Sequence, residues 1–242
     1  LNGVQYGLLL FLVASGLTLI FGIMGVINLA HGSFYMVGAY MAFAFSSATG
    51  SLVAGVVMGL GLSVALGVAL EWGLFGRLYQ RDHLDQVLLT YGLILVFEEM
   101  RSILVDNDVH GVPVPPLLAW SIPLTPTLSY PAYRLFMSAV CLAVAGGLWL
   151  LIQRTRLGMM IRAGASNREM VQSLGLNIKL VHRLVFALGV ALAALAGMVA
   201  APVSSVYPGM GTHVLIICFV VVVMGGIGSV RGALFAALLI GV

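Results

Sequence analysis

Charge is what this sequence lacks first. Only 8% of its 242 residues are Asp, Glu, Lys or Arg, where a soluble domain carries about 25%. None of them occurs between Leu1 and Leu70. Cysteine is scarce as well: Cys141 and Cys218 lie in separate apolar runs, which excludes a disulfide framework or a Cys-based metal spacing and leaves two packing residues. There is no GxxxxGK[ST] phosphate loop. No nucleophile, base and acid stand at a spacing that argues for catalysis. The expectation is a chain that is not an enzyme, holds no metal and binds no nucleic acid, since its net charge of +3 comes from basic residues set between apolar runs.

What is there is apolar. Hydrophobic residues make up 61% of the chain, with a mean hydropathy of +1.12, so the solvent that suits it is lipid. In lipid every backbone polar group has to be bonded internally, by helices or by a closed barrel. The apolar runs are continuous rather than alternating, which selects helices. They fall near 4–25, 32–49, 52–75, 87–105, 132–152, 184–201, 212–227 and 233–242. The fold class expected is therefore all-α: a polytopic bundle of about eight membrane helices in one domain, 1–242.

The basic residues orient the bundle. Arg77 and Arg81 follow the third run, Arg231 precedes the eighth, and Arg154, Arg156, Arg162, Arg168, Lys179 and Arg183 lie in the long connection 154–183. These connections share one side, which the positive-inside rule makes cytoplasmic, so the Leu1 end faces outside. The chain begins without Met, and its last run stops 11 residues after Arg231, too short to span; continuation at both ends is expected. The first run lacks a basic flank and a cleavage site, and reads as a span rather than a signal peptide.

The stretch 106–131 is rich in proline and reads as an irregular external cap; its Asp106, Asp108 and His110 match no strong metal spacing. Glu98 and Arg101, three apart near the outer end of the fourth run, lie on one helix face and can pair. They form either an outer gate or docking surface, or an interfacial ion pair that ends the span. Glu71, at the inner end of the third run, is expected either to snorkel or to pair with Arg77. Gly55, Gly59, Gly61 and Gly67 on that run let helices approach closely. In the inner connection "SNREMVQSLG" reads as a short helix, capped by Ser166 or Asn167 and ended by Gly175.

"NLAHG" at 28–32 puts an amide and an imidazole inside an otherwise apolar stretch. Two readings stand open. One is an inner turn, with Asn28 capping the next helix. The other is a discontinuous helix near 24–32, with Asn28 and His31 beside a polar path and Gly32 admitting close backbone approach. "MGVINLAHG" at 24–32 also matches "MGGIGSVRG" at 224–232 at Met, Gly, Ile and the last Gly. The dense Gly225, Gly226 and Gly228 suggest a second unwound or sharply turning segment lining a cavity.

Three stretches, "SGLTLIFGIMGVINLAHGSFYMVGAY", "TRLGMMIRAGASNREMVQSLGLNI" and "MGGIGSVRGALFAALLIG", closely resemble permease subunits of branched-chain amino acid ABC importers, a family that also includes urea and amide importers. The resemblance is to the first of the two permeases and covers essentially the whole chain. It implies a bacterial inner-membrane protein that works with a second homologous permease, two cytoplasmic ATPase subunits that use ATP and Mg, and a periplasmic binding protein. The chain itself would bind no cofactor. The resemblance also makes 154–183 a cytoplasmic coupling loop whose helix meets an ATPase subunit through Arg162, Ala163, Ser166, Asn167, Glu169, Leu174 and Gly175. The loop lacks the leading glutamate of the generic ABC importer pattern. A secondary transporter or channel, and a non-transporting scaffold, are the rival classes; neither accounts for the long inner loop.

Overall fold

The computed structural model describes residues 2–78, 81–125, 128–166, 168–173 and 177–242. Each of the eight apolar runs is a helix. The first three are α1 (Asn2–Met24), α2 (His31–Thr49) and α3 (Leu52–Leu70), which continues through a π-helical turn (Glu71–Phe75) into α4 (Gly76–Leu78). Next come α5 (His83–Val105), α6 (Ala132–Arg154), α9 (Ile178–Ser204), α10 (Met210–Gly225) and α11 (Val230–Gly241), with the short α7 (Arg156–Ser166) and α8 (Arg168–Ser173) between α6 and α9. Four of these stretches, Asn2–Met24, Leu52–Leu78, Ala132–Arg154 and Ile178–Ser204, are long and apolar enough to cross a bilayer. The chain is thus an all-α membrane bundle.

Position in the bundle follows from composition around each helix. α1 is apolar on all sides, and every residue from Gly7 to Ile20 is buried, the behaviour of a helix at the centre of a bundle. α9 and α11 are its main neighbours, and α9 packs on α2 and α3 as well. α3, α5 and α6 bury one face and turn residues such as Val53, Leu88, Ile103 and Leu142 outward, as suits lipid contact. Small residues set the closest crossings. A Cβ on Gly16 would lie 2.7 Å from the Gly189 carbonyl oxygen, and one on Gly3 would lie 2.5 Å from that of Gly241. Gly55, Gly59 and Gly67 do meet neighbours, but Gly61 faces open space, so the packing role expected of all four belongs to three. Phe34 joins α2 to α5 and α9 through edge-to-face contacts with Phe97 (5.6 Å) and Phe186 (6.0 Å).

The outer connection is more regular than its prolines suggest. β1 (Ser121–Thr125) and β2 (Leu128–Pro131) form an antiparallel hairpin; proline is tolerated where the strand edge needs no donor. His110 pairs with Val206 in an isolated bridge and stacks on Phe43 at 4.5 Å, which ties this cap to α2 and to the α9–α10 link.

Candidate functional site

α1 ends at Met24, where Gly25 adopts a φ of 64°, a left-handed conformation that favours glycine. The chain then doubles back along α1. Val26, Asn28 and Ala30 are buried, and His31 places Nε2 3.0 Å from the carbonyl oxygen of Val13. Val13 stands about 16 Å before Met24 along the helix axis. Residues 25–28 are non-helical, and a turn at 29–30 is closed by the His31 N–H on the Asn28 carbonyl oxygen at 3.3 Å, so α2 starts beside the middle of α1. The carbonyl can only accept, so Nε2 carries the hydrogen, and Nδ1 has no partner. Asn28 has no exposed surface, and neither of its side-chain polar atoms is bonded. It does not cap α2: the residue before that helix is Ala30, with no side-chain cap bond. A buried amide with nothing to bond costs roughly 1–3 kcal/mol, so the position needs an explanation beyond folding.

A second helix begins at the same level. A Cβ on Gly32 would overlap the Gly211 carbonyl oxygen, and one on Gly211 would lie 2.6 Å from that of Gly32. The first turns of α2 and α10 therefore touch backbone to backbone. Helix N-termini carry partial positive charge, and two of them meet here beside the middle of α1. The Gly225, Gly226 and Gly228 turn lies elsewhere. Gly226 and Gly228 take φ of 86° and 81°, and Gly228 packs on Gly22 near the end of α1. That turn folds α10 against α11, whereas α1 and α2 make little contact. The two matched stretches thus share a helix–break–helix pattern but not a shape.

Beyond the start of α2, Tyr35 and Met210 border a cavity of ≈ 360 Å³ that opens between α1, α6, α9 and α10 and includes Gln5, Arg134 and Tyr207. Neither Asn28 nor His31 lines it. Sequence reasoning did not single it out, because its polar groups are spread over five helices and the α9–α10 link. The only signal was the pair Gln5 and Tyr6 in the first turns of α1.

At the other end of the bundle Glu71 is 2% exposed and pairs with Arg183 at 3.1 Å. The ion pair therefore joins the π-helical turn to α9 rather than to the local Arg77. α7 packs against the end of α6: Gly158 fits under the Leu151 and Ile152 carbonyls, and Arg162 donates to the Ile152 carbonyl, a favourable place for a cation. Gly164 faces Ile178 and Ile23, so α7 touches the first turn of α9 and the last turn of α1. Ala163 and Ser166 are exposed. Glu169 lies in α8; Asn167, Leu174 and Gly175 lie outside the described residues. On α5, Arg101 bonds Glu98 at 3.1 Å, the Asp106 carbonyl at 2.8 Å and Asn107 Oδ1 at 2.9 Å, which closes the end of that helix.

Comparison with known proteins places these features in a family. The family model described as "Branched-chain amino acid transport system / permease component" matches residues 1–242. The high-affinity branched-chain amino acid transport system permease protein BraD of Pseudomonas aeruginosa is 30% identical over 257 aligned residues, covering 100% of this chain and 82% of that protein. LivH of Escherichia coli K12, a permease protein of the same description, is 30% identical over 255 residues with the same coverage. A probable branched-chain amino acid transport permease protein, LivH of Methanocaldococcus jannaschii, is 26% identical across 100% of this chain and 78% of its own length. No solved structure matches the chain with significance.

Proposed function

The chain belongs to the branched-chain amino acid transport permease family, and from that premise we propose that it is a transmembrane subunit of an ATP-driven ABC importer, carrying branched-chain amino acids from periplasm to cytoplasm. A second homologous permease completes the path. A periplasmic binding protein delivers the solute, and two cytoplasmic ATPase subunits hydrolyse ATP with Mg. The Leu1 end faces the periplasm, and the α7–α8 side, which carries Arg154, Arg156, Arg162 and Arg168, faces the ATPases.

Asn28 carries the reading at residue level. Its fully buried, unbonded amide sits in the break between α1 and α2, where non-helical backbone is tolerated in a membrane when it lines a path. The N-termini of α2 and α10 add partial positive charge suited to a carboxylate. α7, wedged against Ile23 and Ile178, connects the ATPase side to the ends of α1 and α9, so a push on α7 rocks the two most buried spans. Gly225, Gly226 and Gly228 form the corresponding turn on α10–α11, and Glu98–Arg101 closes the outer side.

The test is ATP-dependent uptake of labelled leucine in proteoliposomes holding the assembled complex and its binding protein. Uptake is expected to need ATP and to fall in Asn28→Ala and His31→Ala. Leucine movement by this chain alone, without ATPase subunits, overturns the importer. Urea, a short amide or a small organic acid displacing leucine from the binding protein reassigns the substrate within the same architecture.

A further inference from the structure

The cavity of ≈ 360 Å³ between α1, α6, α9 and α10 is within the about 300–1,000 Å³ usual for small-molecule sites. It is built from helix faces. Asn2, Gln5, Tyr6 and Leu9 of α1 follow the one-face spacing of a helix, and the other helices contribute at the same three- and four-residue spacing. The chemistry is graded along these faces. On α1 the lining passes from Asn2 and Gln5 to Leu9, and on α6 from Arg134 to Met137. On α1 and α6 polar groups thus precede apolar ones, while α10 contributes Met210, His213, Val214 and Ile217.

Arg134 is the only Asp, Glu, Lys or Arg among the lining residues. Its Nη1 donates to Asn2 Oδ1 at 3.0 Å, which leaves other guanidinium donors for a second acceptor. Gln5 is buried. Its Oε1 accepts from the Tyr130 hydroxyl at 3.0 Å and keeps a second lone pair. Tyr6 and Tyr207 also line the cavity, and a tyrosine ring attracts a cation over its face. Among the described lining residues no carboxylate competes for Arg134.

We infer that this cavity is a solute-binding station of the chain, taking a small zwitterion with its carboxylate on Arg134, its ammonium toward Gln5 and the tyrosine rings, and an aliphatic side chain toward Leu9, Met137 and Ile217. The station rests on the import reading and adds residues to it that Asn28 and His31 do not include. Tyr35 of α2 and Met210 of α10 also line it, each within three residues of the Gly32–Gly211 contact in sequence. A cationic solute is disfavoured by Arg134.

The test uses the complete importer, with its binding protein, in proteoliposomes. Arg134→Gln should lower leucine uptake about tenfold, from loss of a charge-assisted bond, and Arg134→Lys should restore a substantial part. Ile217→Phe fills the apolar end, and should lower the ratio of leucine to alanine uptake about fivefold. Ser204→Cys, at the rim, reports occupancy without removing a binding group: leucine should slow its modification by a membrane-impermeant thiol reagent. Co-purification with the ATPase subunits shows which variants assemble. Unchanged uptake in Arg134→Gln, an unchanged leucine-to-alanine ratio in Ile217→Phe, or labelling of Ser204→Cys indifferent to leucine overturns the station. A wild-type complex that moves no amino acid overturns the import reading, and the station with it.

Discussion

The Nε2 of His31 donates to the main-chain oxygen of Val13 across 3.0 Å, pinning the first residue of α2 to the midpoint of α1. The bond ties a helix start to the most buried helix of the bundle, so α2 cannot slide along α1 without breaking it.

Removing that bond, or the unbonded amide beside it, separates transport from folding. His31→Ala and Asn28→Ala are expected to lower leucine uptake about tenfold, consistent with loss of one buried hydrogen-bonding group, while the complex still assembles. Uptake and co-purification are measured on the same preparations. Wild-type uptake in both variants makes residues 28–32 a structural break only.

The ion pair between Glu71 and Arg183 is uneven, since Glu71 is 2% exposed and Arg183 is 42% exposed. Arg183→Leu leaves the buried carboxylate without that cation and should destabilise the chain by about 1–2 kcal/mol, less than a fully buried pair because water screens the Arg183 side. Pairing it with Glu71→Gln should recover most of the loss. Thermal unfolding in detergent measures both, and a double variant no better than Arg183→Leu argues against the coupling.

The crossing of α1 and α9 depends on missing side chains. Gly16→Val would meet the Gly189 oxygen and the His31 ring, and should cost about 1–3 kcal/mol as an overpacked contact. Gly92→Ala, which meets nothing within 4 Å, should be neutral or stabilising by up to about 1 kcal/mol through helix propensity. Equal melting temperatures for the two variants would contradict the crossing.

Arg101 holds the end of α5 through Glu98, Asp106 and Asn107, and Asp106 itself is held at a φ of 76°. Arg101→Ala should loosen residues 106–112 locally. Hydrogen exchange should speed there and stay unchanged in α1 and α9. Uniform speeding across the chain would instead indicate global destabilisation.

Much of the helical pattern was readable because apolar composition and continuous runs leave a membrane chain few backbone options. α7 was not expected: Gly158 and Gly164 lower its helix propensity, and both are glycines because they pack against the end of α6 and against Ile178 and Ile23. The hairpin at 121–131 was masked by its prolines, which sit in a two-stranded ribbon where missing donors cost little. The cavity was not legible either, since no local spacing connects Gln5, Arg134 and Tyr207.

By itself, the sequence determined that this chain is helical, lies in lipid and belongs among the permeases, since hydropathy and local motifs are properties of neighbouring residues. It left residues 28–32 open between a turn and a broken span, and for Glu71 it offered only snorkelling or the neighbouring Arg77. Only the tertiary structure showed Asn28 and His31 buried against α1 and Glu71 paired with Arg183. Where α2 begins along α1, and which cation lies 112 positions from Glu71 in sequence yet 3.1 Å away in space, depend on how distant helices pack, and packing between helices leaves no period in the chain.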